Sequence, residues 1–419
     1  MRQKPATIPS PAMLTMVLIG ITLVSQFHRA SLAVIAPELL LELALTPRSL
    51  GLAGGMFFLV LVVAQVPVGV LLDSIGPRRL VAWLTGVACL GALLSAAATD
   101  AGSLILARGV VGLGCAAYFM AAVLMCSRWF RGPGLSTALS RVFAMSQIGT
   151  LLAGWPLAQL SETIGWRSAF VLSALLTALA GALFVMLVRQ EHPDSDAEDR
   201  NSAAPAASLS SALQGLREVV RTPGLIPILA IHSMAYAVFA TVLGLWAGPY
   251  LHDVHGLDAV SRGQVMAAMT VAQIIGILAY GPLDSRLNTR KGVILTGGLA
   301  TLSLLTLMAL WANPPLSVAI TLLVLLCATS SYSVTIVAHG RSLFPDRLLG
   351  RGMTTLNLAQ VSGASLLPIL TGWIAASMIE SGAGGYSEVA YRAIWAVIAT
   401  GLACGLVVYS RARDARPRP

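Results

Sequence analysis

The chain has 419 residues, 56% of them hydrophobic and only 11% charged, with a formal net charge of +9 and a mean hydropathy of +0.80. Soluble domains carry roughly 25% charged residues, so this composition excludes a soluble globular class and points to an integral membrane protein. The basic residues sit in short stretches between apolar runs instead of along one face, which excludes a nucleic-acid-binding surface.

Taken in order, the chain opens on the basic stretch MRQKPATIPSPAM and passes into an apolar run with no small-residue cleavage site behind it. This predicts an uncleaved first helix and not a signal peptide. Windows long enough to cross a bilayer follow at 13–37, 50–72, 80–98, 102–126, 138–160 and 167–188, and again at 225–250, 263–283, 291–311, 315–339, 352–376 and 389–409. These are spans 1 to 12, an all-α membrane architecture of two six-helix bundles. Runs of this length do not alternate as barrel strands must.

The predicted units are an N-terminal bundle over 1–188, a linker over 189–224 and a C-terminal bundle over 225–419. The linker contains RQEHPDSDAEDRNSAAPAAS, the most polar and acidic stretch of the chain. Beyond it, Leu209, Leu213, Leu216 and Val220 share one helical face, predicting a short amphipathic surface helix. The five cysteines, Cys89, Cys115, Cys126, Cys327 and Cys404, all fall inside apolar runs without a CxxC pair, and no disulfide or zinc framework is expected.

Twelve crossings place both termini and the linker on one side. Of the 27 Lys and Arg residues, 21 fall on that side, four (Arg48, Arg167, Arg262 and Arg392) on the other, and Arg29 and Arg108 within spans. By the positive-inside rule both termini are expected in the cytoplasm, with the protein multi-pass in a bacterial inner membrane.

An internal repeat organises these spans. The stretch PVGVLLDSIGPRRL, Pro67 to Leu80, closes span 2 with Gly69 and Asp73 and turns through Gly76, Arg78 and Arg79 into span 3. Gly281, Asp284, Ser285, Arg286, Arg290 and Lys291 repeat that order between spans 8 and 9. Independently, YFMAAVLMCSRWF (Tyr118 to Phe130) and YSVTIVAHGRSLF (Tyr332 to Phe344) each set a tyrosine twelve residues before a phenylalanine, and each is followed by a span bearing a glutamine, Gln147 or Gln360. Two matches at corresponding places argue for parallel repeats.

On these residues the chain resembles the major facilitator superfamily over essentially its full length. Gly69, Asp73, Gly76, Arg78 and Arg79 match the family's signature loop, with Ser74 where a basic residue is usual, and Arg108, Gly112 and Gly114 match its span-4 pattern. FHRASLAVIAP in span 1, RWF after span 4 and GWRSAF at 165–170 look most like the organic-anion and sugar-phosphate symporter branch. The resemblance implies that spans 1, 4, 7 and 10 line a central cavity. It also implies that Asp73 latches against the N-terminal end of span 11, that Asp284 does the same against span 5, and that Arg290 and Arg108 belong to the gating machinery, with a structural role, proton coupling or direct substrate contact as the other readings of Arg108.

Several polar residues lie in those lining spans. Arg29, deep in span 1 with Gln26 one turn before it, has no Asp or Glu at its depth to neutralise it. A guanidinium suits a bidentate carboxylate or phosphate, so the missing counter-ion is read as the substrate; the competing reading is a structural arginine bonded to helix carbonyls. Tyr118 and Tyr332, matched by the repeat, are expected to face each other across the cavity. His232 and Tyr236 in span 7, and Asn357 and Gln360 in span 11, are further candidates to line it. His252, Asp253 and His255 are too sparse a set for a metal site, no P-loop is present, and no nucleophile, base and orienting group come together. No cofactor and no enzymatic activity are expected.

The reading is a secondary transporter, working by alternating access, for a small organic anion, with a coupling proton left open. The fold needs no partner to form its pathway, so a monomer in the lipid bilayer is expected. The alternatives are a proton-coupled drug or metabolite exporter, suggested by Gly149, Gly154 and Pro156 in span 5, and a transporter-like sensor that binds without turnover.

Overall fold

Local chemistry fixes where the crossings begin. Ser10 Oγ accepts from Met13 N before Pro11, and Thr46 and Ser49 form a reciprocal capping box before Pro47. Asp100 and Ser103 repeat the box, Asp258 accepts from Ser261 N at 2.7 Å, and Thr289 and Ser387 cap two later helices. Each cap satisfies amide groups that have no partner within their own helix.

The structure, a computed structural model, describes residues 10–130, 133–188, 219, 222–344, 349–378 and 386–416. Among the described residues eleven helices are long and apolar enough to cross a membrane. In the first half they run Pro11–Val34, Pro47–Leu72, Pro77–Ala96, Ala101–Cys126 and Trp166–Leu187. In the second half they run Leu225–Asp253, Ala259–Leu287, Arg290–Leu310, Leu316–Arg341, Gly352–Ala376 and Glu388–Tyr409. The remaining crossing, span 5, is built from three pieces, Pro133–Ser146, Ile148–Leu152 and Trp155–Ile164. The fold is therefore all-α with twelve crossings in two repeated halves. The predicted linker and its amphipathic helix fall almost wholly outside the described residues.

Span 5 breaks because it runs very close to span 1. A Cβ on Gly149 would lie 2.0 Å from the Leu23 carbonyl oxygen, and Pro156 enters the helix that follows Gly154. Spans 4 and 10 break at matching places, between Cys115 and Tyr118 in one and through a 3₁₀ turn at Ser330–Tyr332 in the other. Span 7 carries a π turn at Val242–Trp246, a helix irregularity often found at functional sites. The turn from span 2 to span 3 needs Gly76, whose φ is 80°, and its counterpart in the second half is Asn288 at φ 51°.

The two halves meet tightly at the side opposite the termini, the far side. Gly51 of span 2 and Gly372 of span 11 bring the backbones so close that a Cβ on Gly51 would lie 2.5 Å from Pro368 O. Gly55 meets Ser365 O, and Gly248 of span 7 meets Ala33 O of span 1, in the same way. Arg48 stacks on the Trp373 ring at 3.7 Å across the same seam. On the terminal side Asp414 accepts from Thr289 Oγ1 at 2.6 Å and from the amides of Arg290 and Lys291 at 3.1 and 2.9 Å, tying the chain's last described turn to the start of span 9. Burial raises the Asp414 carboxyl, but these hydrogen bonds outweigh it and hold the group below the usual carboxylate range.

Candidate functional site

Arg29 sits in the far-side third of span 1, beside a narrow cavity between the halves. Gln26 and Arg29 line it from span 1, Phe58 from span 2, Thr150 from span 5, and Tyr236 and Phe239 from span 7, with the π turn closing one wall at Gly244. At Gly244 span 7 runs beside span 1 at ordinary van der Waals range, a Cβ there lying 3.6 Å from Arg29 O.

The guanidinium of Arg29 reaches across the halves. Its Nη1 donates to Tyr236 Oη at 3.2 Å and its carbon lies 5.7 Å from the centre of the Phe58 ring. Its Nε is buried and has no partner among the described residues. Among the described residues no carboxylate pairs with it; the ion pairs found join Arg167, Arg262, Arg290 and Arg392 to their own acids. The residue is half-buried, and a buried donor left without an acceptor is costly to hold.

A chain of amides runs beside it. Gln26 Nε2 donates to Gln147 Oε1, and Gln147 Nε2 donates to Gln273 Oε1 at 3.0 Å, joining spans 1, 5 and 8. Gln273, absent from the sequence reading, carries this chain into the second half. The signal for it was available, because it is an amide within the apolar window 263–283.

Other expected lining residues point elsewhere. Tyr118 donates to Thr85 Oγ1 of span 3 at 3.0 Å, and Tyr332 packs against Gly297 of span 9 and edge-on to Tyr280. The two tyrosines lie inside their own bundles and do not face each other across the cavity, because the helix breaks beside them turn both toward the neighbouring span. Among the described residues the cavity lining comes from spans 1, 2, 5 and 7, and not from spans 4 and 10. His232 is buried between spans 7 and 11, bonded to Gln360. Asn357 is half-buried on span 11, away from the lining. Arg108 is 1% exposed, donates to His28 O at 2.8 Å and lies over the Phe57 ring, holding spans 1, 2 and 4 together.

The loop residues of the repeat sit on the terminal side. The Asp284 carboxylate is bonded to Arg290 Nε at 3.3 Å and to Ser285 Oγ, partners within its own loop; the side chains at the start of span 5, residues 133–137, are outside the described part of the structure. Gly69 packs on Met120 of span 4, while Arg78 Nε donates to Val185 O of span 6 at 3.1 Å and Arg79 is exposed. The side chain of Asp73 is outside the described part of the structure.

On the far side Arg262, counted from the sequence as a loop charge, is buried in the first turn of span 8 and bonded across the seam to Val34 O and Glu38. Close by, Glu42 is bonded by Trp166 and Arg167 of its own half, and those bonds hold its carboxyl below the usual range. His255 rests against Tyr250, and partial burial lowers its basicity. The Asp253 carboxylate is taken by Tyr391 Oη at 2.6 Å and Tyr386 N at 3.1 Å.

Comparison with known proteins adds to this geometry. The model described as Major Facilitator Superfamily matches residues 18–270 and 247–419. The "Uncharacterized transporter YybO" of Bacillus subtilis (strain 168) is 25% identical over 275 residues, covering 63% of this chain and 62% of that protein. The "Probable L-galactonate transporter" of Escherichia coli (strain K12) is 24% identical over 377 residues, 84% of this chain and 80% of that one. The "Putative tartrate transporter" of Agrobacterium vitis is 22% identical, covering 80% and 77%. Among solved structures, a bacterial homologue of the human lysosomal transporter Spinster, inward-facing and occupied, superposes with a TM-score of 0.76 at 15% identity over 98% of each chain. The nucleoside transporter NupG superposes at 0.74, with 14% identity over 95% of this chain and 98% of that one.

Proposed function

The chain belongs to the Major Facilitator Superfamily, and from that membership we propose that it carries a small organic anion across the bacterial inner membrane by alternating access between its halves. The observation that carries the reading is Arg29, a guanidinium within span 1 whose buried Nε has no partner and which pairs with no carboxylate among the described residues, beside a cavity that both halves line. A carboxylate or phosphate ester supplies the missing charge in the geometry a guanidinium accepts best. That relatives are named for L-galactonate and tartrate supports the carboxylate.

In this reading Arg29 anchors the anion while Tyr236, Gln26 and the amide chain through Gln147 hold its polar remainder. His232, Gln360 and Asn357 support span 11 from behind, and Tyr118 and Tyr332 keep the bundles rigid as they rock. The terminal side, with 21 of the 27 basic residues, faces the cytoplasm, and the shut far side faces out. The loops bearing Gly69, Asp73, Gly76, Arg78 and Arg79, and Asp284 with Arg290, re-pack as the cytoplasmic side closes, while Arg108 fixes span 1 to its bundle.

The test is uptake of radiolabelled tartrate and L-galactonate into proteoliposomes by the parent and Arg29→Gln. The expected result is uptake by the parent and a loss of at least about tenfold in the variant, as befits a charge-assisted hydrogen bond. Transport of a cationic dye by both proteins at equal rates, with no anion uptake, sinks the reading.

A further inference from the structure

The bonds of Arg262 divide unevenly between the two halves. Its Nη1 donates to Leu257 O of its own half at 3.0 Å. Its Nη2 donates to Val34 O at 3.2 Å and to Glu38 Oε1, both of the other half. The side chain is 1% exposed, yet Arg262 Nε and Glu38 Oε2 are buried without partners among the described residues. The pair therefore engages one oxygen and one nitrogen where a carboxylate and a guanidinium can engage two of each.

Opening the far side separates Glu38 and Val34 from Arg262, because they move with opposite halves. Arg262 then keeps only Leu257 O, and a guanidinium bared in this way demands a new anionic partner. Val34 lies five residues beyond Arg29, about 7.5 Å further along the same helical path at 1.5 Å per residue. A small carboxylate can step from one arginine to the other.

We propose that Arg262 is a second anion site at the far mouth of the pathway, that Glu38 occupies it as a tethered stand-in while that side is shut, and that a carboxylate-bearing substrate takes Glu38's place when it opens. The free anion has the advantage of both oxygens, which can take Nε and Nη2 together. This inference rests on the anion reading of the transported molecule.

The test uses spin labels at Thr163→Cys and Ala312→Cys, exposed positions at the far ends of spans 5 and 9, with Cys89 and Cys404 replaced by serine. Inter-label distances are measured in lipid nanodiscs with tartrate, and separately with glycerol 3-phosphate. Glu38→Gln is expected to raise the far-open population about tenfold without any anion, within the range usual for conformational coupling. Arg29→Gln combined with Glu38→Gln is expected to keep an anion-dependent distance shift, and adding Arg262→Gln to that pair is expected to abolish it. An unchanged distance in Glu38→Gln, or loss of the anion response with Arg29→Gln alone, overturns the second site and leaves Arg29 as the anchor. If neither anion moves the labels in the parent, the anion reading fails and this inference falls with it.

Discussion

Gly51 tests whether the far-side seam belongs to one state of a moving protein or to a static core. A Cβ there would lie 2.5 Å from Pro368 O and 2.8 Å from Gly372 Cα, both backbone atoms that no rotamer change can move. Ordinary carbon contacts lie near 3.5 Å, so Gly51→Ala requires spans 2 and 11 to part by roughly 1 Å. Overpacking of this kind costs about 1–3 kcal/mol, and in a rocking mechanism that cost falls only on the far-shut state. The helix-propensity gain of alanine over glycine falls equally on both states and cancels. The expected result is a 5- to 150-fold shift toward the far-open state, the range that 1–3 kcal/mol corresponds to. Labelling of a Leu245→Cys variant by a membrane-impermeant maleimide added from the far side reads it, because Leu245 is buried behind this seam against Gly54. Gly149→Ala is the control: its clash with Leu23 O lies within one half, so it should lower thermal stability without favouring either state. If Gly51→Ala lowers the melting temperature and leaves labelling unchanged, the seam is a static core and the rocking argument is wrong.

Tyr118→Phe removes a hydrogen bond to Thr85 inside the first bundle and should cost about 1 kcal/mol of stability while anion affinity changes less than twofold; a tenfold loss of affinity in a binding titration would return Tyr118 to the cavity. Asp414 is held below its ordinary range when folded, so its contribution is present above the unfolded value near 4 and is lost as pH falls through the lower folded one. Melting curves of the parent between about pH 6 and 3 should therefore fall more steeply than those of Asp414→Asn, and parallel curves would contradict that anchor.

Much of the fold was legible because the membrane imposes a simple code. Apolar length marks the crossings, and the spread of Arg and Lys marks the sides. Arg29 stood out for the same reason, as a charge within an apolar run. Span 5 shows where the code thins: Gly149, Gly154 and Pro156 were visible, but that they split the helix depends on how closely span 1 passes Gly149. Tyr118 and Tyr332 were expected in the cavity because the repeat matches them on two spans taken to line it, but each sits at a helix break, Cys115–Tyr118 or Ser330–Tyr332, and packs on the neighbouring span of its own bundle. Arg262 was hidden by its place at a window's edge, where a charge reads as loop. Its partner Glu38 is 224 residues away in sequence, and no local pattern encodes a contact of that range.

Binding at Arg29 is the most direct test of the central claim. Isothermal titration of the detergent-purified parent, Arg29→Lys and Arg29→Gln with tartrate and L-galactonate separates charge from fork geometry. The account predicts that Arg29→Gln weakens binding by about 100-fold or more, the loss of two charge-assisted bonds, and that Arg29→Lys recovers only part of it. Equal affinity in all three proteins would make Arg29 a structural residue and contradict the account.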